Sequence, residues 1–265
     1  DIIIRVLPNG DMPHTAPNPY SAGGGPFWCA FMIAASWQTW LNYGDERLME
    51  RYYPNMCRWL DYAESKCVDG LLKDWGGTEY RNWYLGDWAT PKGINQTDPR
   101  SVDLVGNCVL SESYDLMSRI ADVLGNEEDS GRFREKHERQ NDLIHKTFFN
   151  PSDNTYATAT QIDMAYPMLV GAVPQSCVRD VVYSIKKRTA ETFKGHLATG
   201  LVGVPVLSKW AVREHKADFM YQMLKKREYP GYLYMIDNGA TLTWEHWDGE
   251  RSHIHNCYNA IGLWF

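Results

Sequence analysis

Apolar residues recur at helical spacing in block after block of this chain, and strand-like runs never alternate with them. Leu48, Tyr52, Met56, Trp59 and Ala63 step by three and four residues, as the buried stripe of an amphipathic helix requires. Tyr114, Met117, Ile120 and Leu124 repeat the step. The pattern predicts helices over about 27–43, 45–63, 114–124, 126–148, 161–171, 175–190, 202–215, 217–227 and 256–265. Gly44 and Gly125 mark two helix ends, Asp45 is placed to cap the next helix, and Pro54 is expected to kink it. Asn126 and Asp129 fit a capping pattern with Glu127 and Glu128 in the first turn, and the charge of the helix that follows assigns it to the outside. Tyr232 to Met235 and Thr241 to Thr243 read as short extended pieces beside loops. With no βαβ alternation, the expected fold is all-α: antiparallel helical hairpins in a bundle or toroid, over one domain spanning residues 1–265. No short repeat suggests a solenoid.

Between the helices lie loops that are unusually rich in rings. The 265 residues include 11 Trp and 16 Tyr against 8 Phe. Such rings pack like Phe, but they also carry a polar handle and can stack on a sugar face. Residues 69–102 read as one long irregular stretch holding Trp75, Trp83 and Trp88, and a loop of that length in a compact domain is usually functional. The net charge of -6 argues against nucleic acid as the partner. No apolar run reaches the ~18 residues of a membrane span. The six cysteines form no CxxC pair and mostly sit in apolar stretches, where free, buried thiols are expected.

The segment Asn238 to Arg251 gathers carboxylates, indoles and an imidazole, and His253 and His255 follow it closely. A glycosidase site needs this mixture. Carboxylates activate water and protonate a leaving group, while rings such as Trp244 and Trp247 hold the sugar face and exclude water. Glu245 lies between Trp244 and His246, and partial desolvation there would raise its pKa toward that of a useful base. The competing reading pairs it with Arg251. In the long loop Asp87 is placed to accept hydrogen bonds from sugar hydroxyls, or else to bond loop amides. His253 and His255 with Glu245, His246 and Asp248 match no metal-ligand spacing. No GxSxG occurs, and Gly23-Gly24-Gly25 lacks the ending of a phosphate loop.

Five segments in order carry a resemblance: Ser-Ala-Gly-Gly-Gly-Pro-Phe-Trp at 21–28, Leu-Gly-Asp-Trp-Ala-Thr at 85–90, His-Leu-Ala-Thr-Gly-Leu at 196–201, Gly-Ala-Thr-Leu-Thr-Trp-Glu-His-Trp-Asp at 239–248, and His255-Asn256. Together they resemble the α-L-rhamnosidases, a family of inverting glycosidases, over essentially the whole chain. The resemblance implies an (α/α)6 toroid of six hairpins. It makes Glu245 the general base, Trp28 and Trp88 walls of a pocket for terminal rhamnose, and His255 a lining residue of that pocket. Asp87 becomes a substrate or loop-orienting contact, and His196 a residue of the same kind. The family's general acid is a Glu in a motif that precedes the Gly-Gly-Gly-Pro-Phe-Trp segment. That motif does not occur here, so the chain is expected to be a piece that begins after it, within a parent carrying other domains.

The resulting expectation is an exo-acting hydrolase of terminal α-L-rhamnose, with a carbohydrate as partner and no cofactor or metal, because an acid and a base suffice. Two rivals stand beside it. One is another toroidal glycosidase or a polysaccharide lyase, against which the acidic loop around Glu245 argues. The other is a non-catalytic carbohydrate-binding fragment.

Overall fold

A computed structural model describes residues 6–15, 23–75, 83–256 and 258–263. The chain divides into two compact units, the first formed by Asp1–Leu85 and Gly106–Ile144, the second by Gly86–Val105 and His145–Phe265.

In the first unit the helix expected over 27–43 is interrupted at Ala30, giving α1 (Pro26–Cys29) and α2 (Phe31–Tyr43). Gly44 ends α2 in the left-handed region (φ 63°), where glycine carries no Cβ penalty. Asp45 accepts the Arg47 amide at 3.1 Å, and α3 follows (Arg47–Glu64). Helix continues on both sides of Pro54. The chain buries Met56, Trp59 and Ala63 of the expected stripe among Met32, Ile33, Leu110, Tyr114, Met117 and Phe133. Two short strands, β2 (Cys67–Val68) and β3 (Leu71–Leu72), pair antiparallel, and β1 (Gly23–Gly24) pairs parallel with β4 (Trp83–Tyr84).

α4 (Pro99–Val123) begins 15 residues before the spacing at Tyr114 signals it. Pro99 suits a first helical turn, and the Asp98 side chain accepts the Arg100 amide at 3.0 Å. α5 (Glu127–Phe148) starts as its sequence predicts, with the Asn126 side chain accepting the Asp129 amide at 3.1 Å. Most of its charges are exposed, while Phe133 and Ile144 are buried.

The second unit also holds a hairpin of β5 (Phe149–Asn150) and β6 (Thr155–Tyr156), then α6 (Gln161–Val170), α7 (Gln175–Glu191), α8 (Gly203–Arg213), α9 (Ala217–Leu224) and α10 (Tyr232–Asp237). A 3₁₀ helix covers Asn259–Leu263. α8 packs on α6 and on that 3₁₀ helix, burying Met164, Tyr166, Leu207 and Trp210. Three sequence expectations are corrected here, the first being the helix over 256–265, of which the described residues show only this 3₁₀ turn. Tyr232 to Met235 is helix, because Tyr232 and Met235 turn the same way onto Trp247, Tyr258 and the core; Thr241 to Thr243 forms a bend and not a strand. Cys29, Cys57, Cys67, Cys108 and Cys177 form no disulfide, and Cys257 lies outside the described residues.

His14 gives the first unit a pH dependence. It is buried, and neither ring nitrogen has a hydrogen-bond partner. Burial lowers its pKa from 6.5 to about 4, so the folded ring stays neutral where the unfolded ring takes up a proton. Stability is therefore lost as pH falls from about 6.5 to about 4, by at most ~1.4 kcal/mol per pH unit. Denaturant melts across that window should show the slope, and His14→Phe should flatten it. A slope that survives the replacement assigns the effect to other groups.

Candidate functional site

Most of the singled-out residues gather in the second unit, on three loops tied by hydrogen bonds. The tie begins at Asp87, whose side chain is buried (5% exposed). Its Oδ2 accepts the Thr199 hydroxyl and the Gly200 amide, each at 2.7 Å. Its Oδ1 accepts the amides of Val202 (3.1 Å) and Gly203 (2.9 Å) at the start of α8. Burial pushes this carboxyl upward, and the four donors, led by the Thr199 hydroxyl, pull against it. Four accepted bonds use the full capacity of a carboxylate. Asp87 therefore has no lone pair free for a sugar or for proton transfer to one.

The chain around Asp87 is bound to the same loop. The Leu201 amide donates to the Trp88 carbonyl at 2.7 Å. At Gly200 a Cβ would lie 2.0 Å from that carbonyl, so this approach requires glycine. Gly200→Ala should displace Trp88 and lower the melting temperature by several degrees, for a cost of ~1–3 kcal/mol. An unchanged melt with unchanged tryptophan fluorescence would count against the close approach.

The third loop is fixed through its second indole. Trp247 is 1% exposed; its Nε1–H donates to the Thr199 carbonyl at 2.9 Å, and its ring stacks on Tyr258 at 4.0 Å and meets Tyr232 edge-on at 5.3 Å. The Tyr258 hydroxyl donates to the Ala89 carbonyl at 2.6 Å, closing the circle back to the Asp87 loop. Trp244 is also buried and stacks on His253 at 5.0 Å. The sequence nominated both indoles for a sugar face; their burial gives them the packing of the loop instead.

Glu245 is held differently. Its amide donates to the Ser252 carbonyl (2.8 Å) and its Oε2 accepts the Ser252 amide (3.2 Å), while the His255 amide donates to the Thr243 carbonyl (2.9 Å). These bonds close the loop and leave the carboxyl group half-buried. No ion pair with Arg251 forms among the described residues. Next to it, His246 meets Trp88 edge-on with centroids 5.5 Å apart, and His255 lies 6.3 Å from the same indole. Trp88, His246 and His255 thus make a half-exposed wall of rings beside one carboxylate with spare acceptor capacity. Asp248 leaves the wall: burial acts to raise its carboxyl, but the Lys92 ammonium at 2.8 Å outweighs that and holds it below the usual carboxylate range.

Trp28 lies in α1 of the first unit, half-buried and edge-on to Phe27. His196 donates from Nδ1 to the Pro230 carbonyl at 3.0 Å and lines an open pocket of about 380 Å³. Thr199, Gly200, Ser252 and Tyr258 carry the geometry although the sequence reading nominated none of them. The Ala-Thr-Gly after His196 was the available signal, since a hydroxyl and bare amides beside a glycine are ready partners for a carboxylate. Among the described residues no group of three His, Cys, Asp or Glu converges as metal ligands.

Known proteins resemble this chain in sequence and in fold. An α-L-rhamnosidase of Alteromonas sp. (strain LOR) is 27% identical over 86% of this chain and 26% of its own length. One from Formosa agariphila is 25% identical over 97% of this chain and 28% of its own length. The chain thus spans about a quarter of these relatives. The structure of an α-L-rhamnosidase from Dictyoglumus thermophilum superposes with a TM-score of 0.88 at 23% identity, covering 100% of this chain and 30% of that one. The Streptomyces avermitilis enzyme complexed with L-rhamnose gives 0.80 at 22% identity, covering 99% and 26%. These likenesses bear out the expected all-α hairpin fold. Residues 1–265 match the bacterial α-L-rhamnosidase six-hairpin glycosidase domain, and the chain belongs to that family of glycoside hydrolases.

Proposed function

We propose that the intact protein removes terminal α-L-rhamnose from a carbohydrate by a single displacement with inversion, and that Glu245 is its general base. The observation that carries this reading is the half-exposed Glu245 carboxylate, beside the Trp88–His246–His255 wall, on a loop with so little freedom. A carboxylate with free acceptor sites can take a proton from water. The ring wall offers an apolar face to the sugar, and its edges can meet the C6 methyl of rhamnose. Water attacks the anomeric carbon from the side opposite the leaving oxygen, and Glu245 receives the proton. Asp87, Trp244 and Trp247 position the loops, and Trp88 and His255 contact the sugar.

Inversion also needs an acid ~6.5–9.5 Å from the base, to leave room for the water. Asp87 is excluded by its four bonds. The acid of this proposal is the Glu of the family motif, which these 265 residues do not contain. Further domains accompany this one in the intact protein, in keeping with relatives more than three times its length.

The test is hydrolysis of para-nitrophenyl α-L-rhamnoside by the intact protein, with the first-formed sugar read by proton NMR. Release of β-L-rhamnose is the expected result. First release of the α anomer rejects inversion. No turnover of this substrate or of rhamnose-capped oligosaccharides rejects the activity.

A further inference from the structure

The pocket around His196 has a chemistry that rhamnose hydrolysis at Glu245 does not use. Its floor is apolar, with Leu197 and Ala198 buried and the Phe193 ring half-buried. Its titratable lining is entirely basic or phenolic: Lys92, Lys194, His196 and Tyr229, with no carboxylate. The Tyr229 hydroxyl accepts the Lys92 amide at 2.7 Å, which leaves its O–H free to donate. The Pro230 carbonyl holds the proton of His196 on Nδ1, so Nε2 is the nitrogen left for a ligand.

The two lysines differ. The Lys92 ammonium is taken by Asp248 at 2.8 Å and Glu250 at 3.6 Å. Lys194 makes no ion pair among the described residues. It also holds a left-handed backbone (φ 51°), which a glycine or asparagine adopts at lower cost. The turn that holds it is fixed by the Phe193 amide on the Arg188 carbonyl (3.0 Å) and the Gly195 amide on the Thr189 carbonyl (2.7 Å). A neutral sugar hydroxyl wants both donors and acceptors from its site. The Lys194 ammonium and the Tyr229 hydroxyl, both donors in the lining that includes Phe193, suit a ring that carries an anion.

The pocket also adjoins the ring wall in sequence and by contact. Residues 88–94 run from Trp88 into it, and Lys92 links it to the Glu245 loop through Asp248. We propose that this pocket binds a uronic acid, the sugar unit that carries the terminal rhamnose, with Lys194 as the partner of its carboxylate. The identity of that unit as the leaving group rests on the rhamnosidase reading; the acid site itself does not.

The test is binding to the intact protein of methyl β-D-glucuronide and methyl β-D-glucoside, which differ only in the carboxylate, followed by ligand-observed NMR. The glucuronide should bind about tenfold more tightly, as one partly solvated charge-assisted contact allows. Lys194→Gln should bring the two to parity and Lys194→Arg should keep the preference. Phe193→Ala should weaken both ligands, which places them in this pocket. Salt at about 0.5 M should shrink the preference by screening. Equal binding of the two ligands, binding of neither, or a preference that survives Lys194→Gln overturns the proposal. Hydrolysis of the aryl rhamnoside is scored separately. Hydrolysis without glucuronide preference removes the acid pocket alone, and preference without hydrolysis removes the rhamnosidase reading alone.

Discussion

Glu245→Gln should reduce kcat on para-nitrophenyl α-L-rhamnoside by about 10²–10⁴-fold in the intact protein, with little change in KM or melting temperature. The replacement is nearly isosteric. Its amide oxygen can still accept the Ser252 amide that Glu245 accepts at 3.2 Å, and the backbone bond to Ser252 is untouched. The loop therefore keeps its shape and the ring wall of Trp88, His246 and His255 keeps its place. What disappears is the group proposed to take the proton from water. In the pH–rate profile the acidic limb should vanish with it, because that limb reports the ionisation of the base. Full activity in this variant removes Glu245 from the mechanism. Lost activity with a lowered melting temperature shows a structural role instead.

The helical character was legible because periodicity is a local signal. α5 through α8 begin and end within a residue or two of their expected limits, and Asn126 caps α5 as its side chain promised. The start of α4 carries no clear periodic signal because its first half holds Asn107 and Ser111 inside the fold. Asn107 accepts the Leu72 amide at 2.8 Å and the Gln140 amide group at 2.7 Å, and Ser111 donates to Asn141 at 2.6 Å. Satisfied polar groups in a core break the apolar stripe that a sequence reading counts. α10 was mistaken for an extended piece because its six residues are too short to show a period and rich in rings that favour strands.

The candidate site was legible to a similar depth. Composition pointed to the Trp-Glu-His-Trp-Asp segment, and the structure sets it beside Trp88 and His255. Which of its rings face outward was not legible. Trp88 and Trp247 have the same chemistry in a sequence, and only the stacking of Trp247 on Tyr258 and its bond to Thr199 separate a buried strut from an exposed wall. The part played by Asp87 depends on Thr199, more than a hundred positions away in sequence. A contact of that separation leaves no local trace.

Asp87→Ala carries the largest expected effect on stability. It leaves the Thr199 hydroxyl and the amides of Gly200, Val202 and Gly203 buried around a cavity, four donors without their acceptor. The cost should be about 3–5 kcal/mol, with a fall in melting temperature on the order of 10 °C. Asp87→Asn should recover only part of it, because the amide group turns two donors of its own toward donors. The damage should spread along the chain of bonds that Asp87 starts. Thr199 would no longer be fixed, Trp247 would lose the fixed carbonyl that it meets at 2.9 Å, and the loop bearing Glu245 would loosen. Intrinsic tryptophan fluorescence should therefore shift to the red at temperatures below the melt. A direct contact between Asp87 and the sugar predicts something else: a raised KM in a variant that melts like the wild type. Melting and KM measured on the same Asp87→Ala preparation separate the two. The buried carboxylate and its four donors predict that stability falls, and that any loss of affinity follows from the loosened loops.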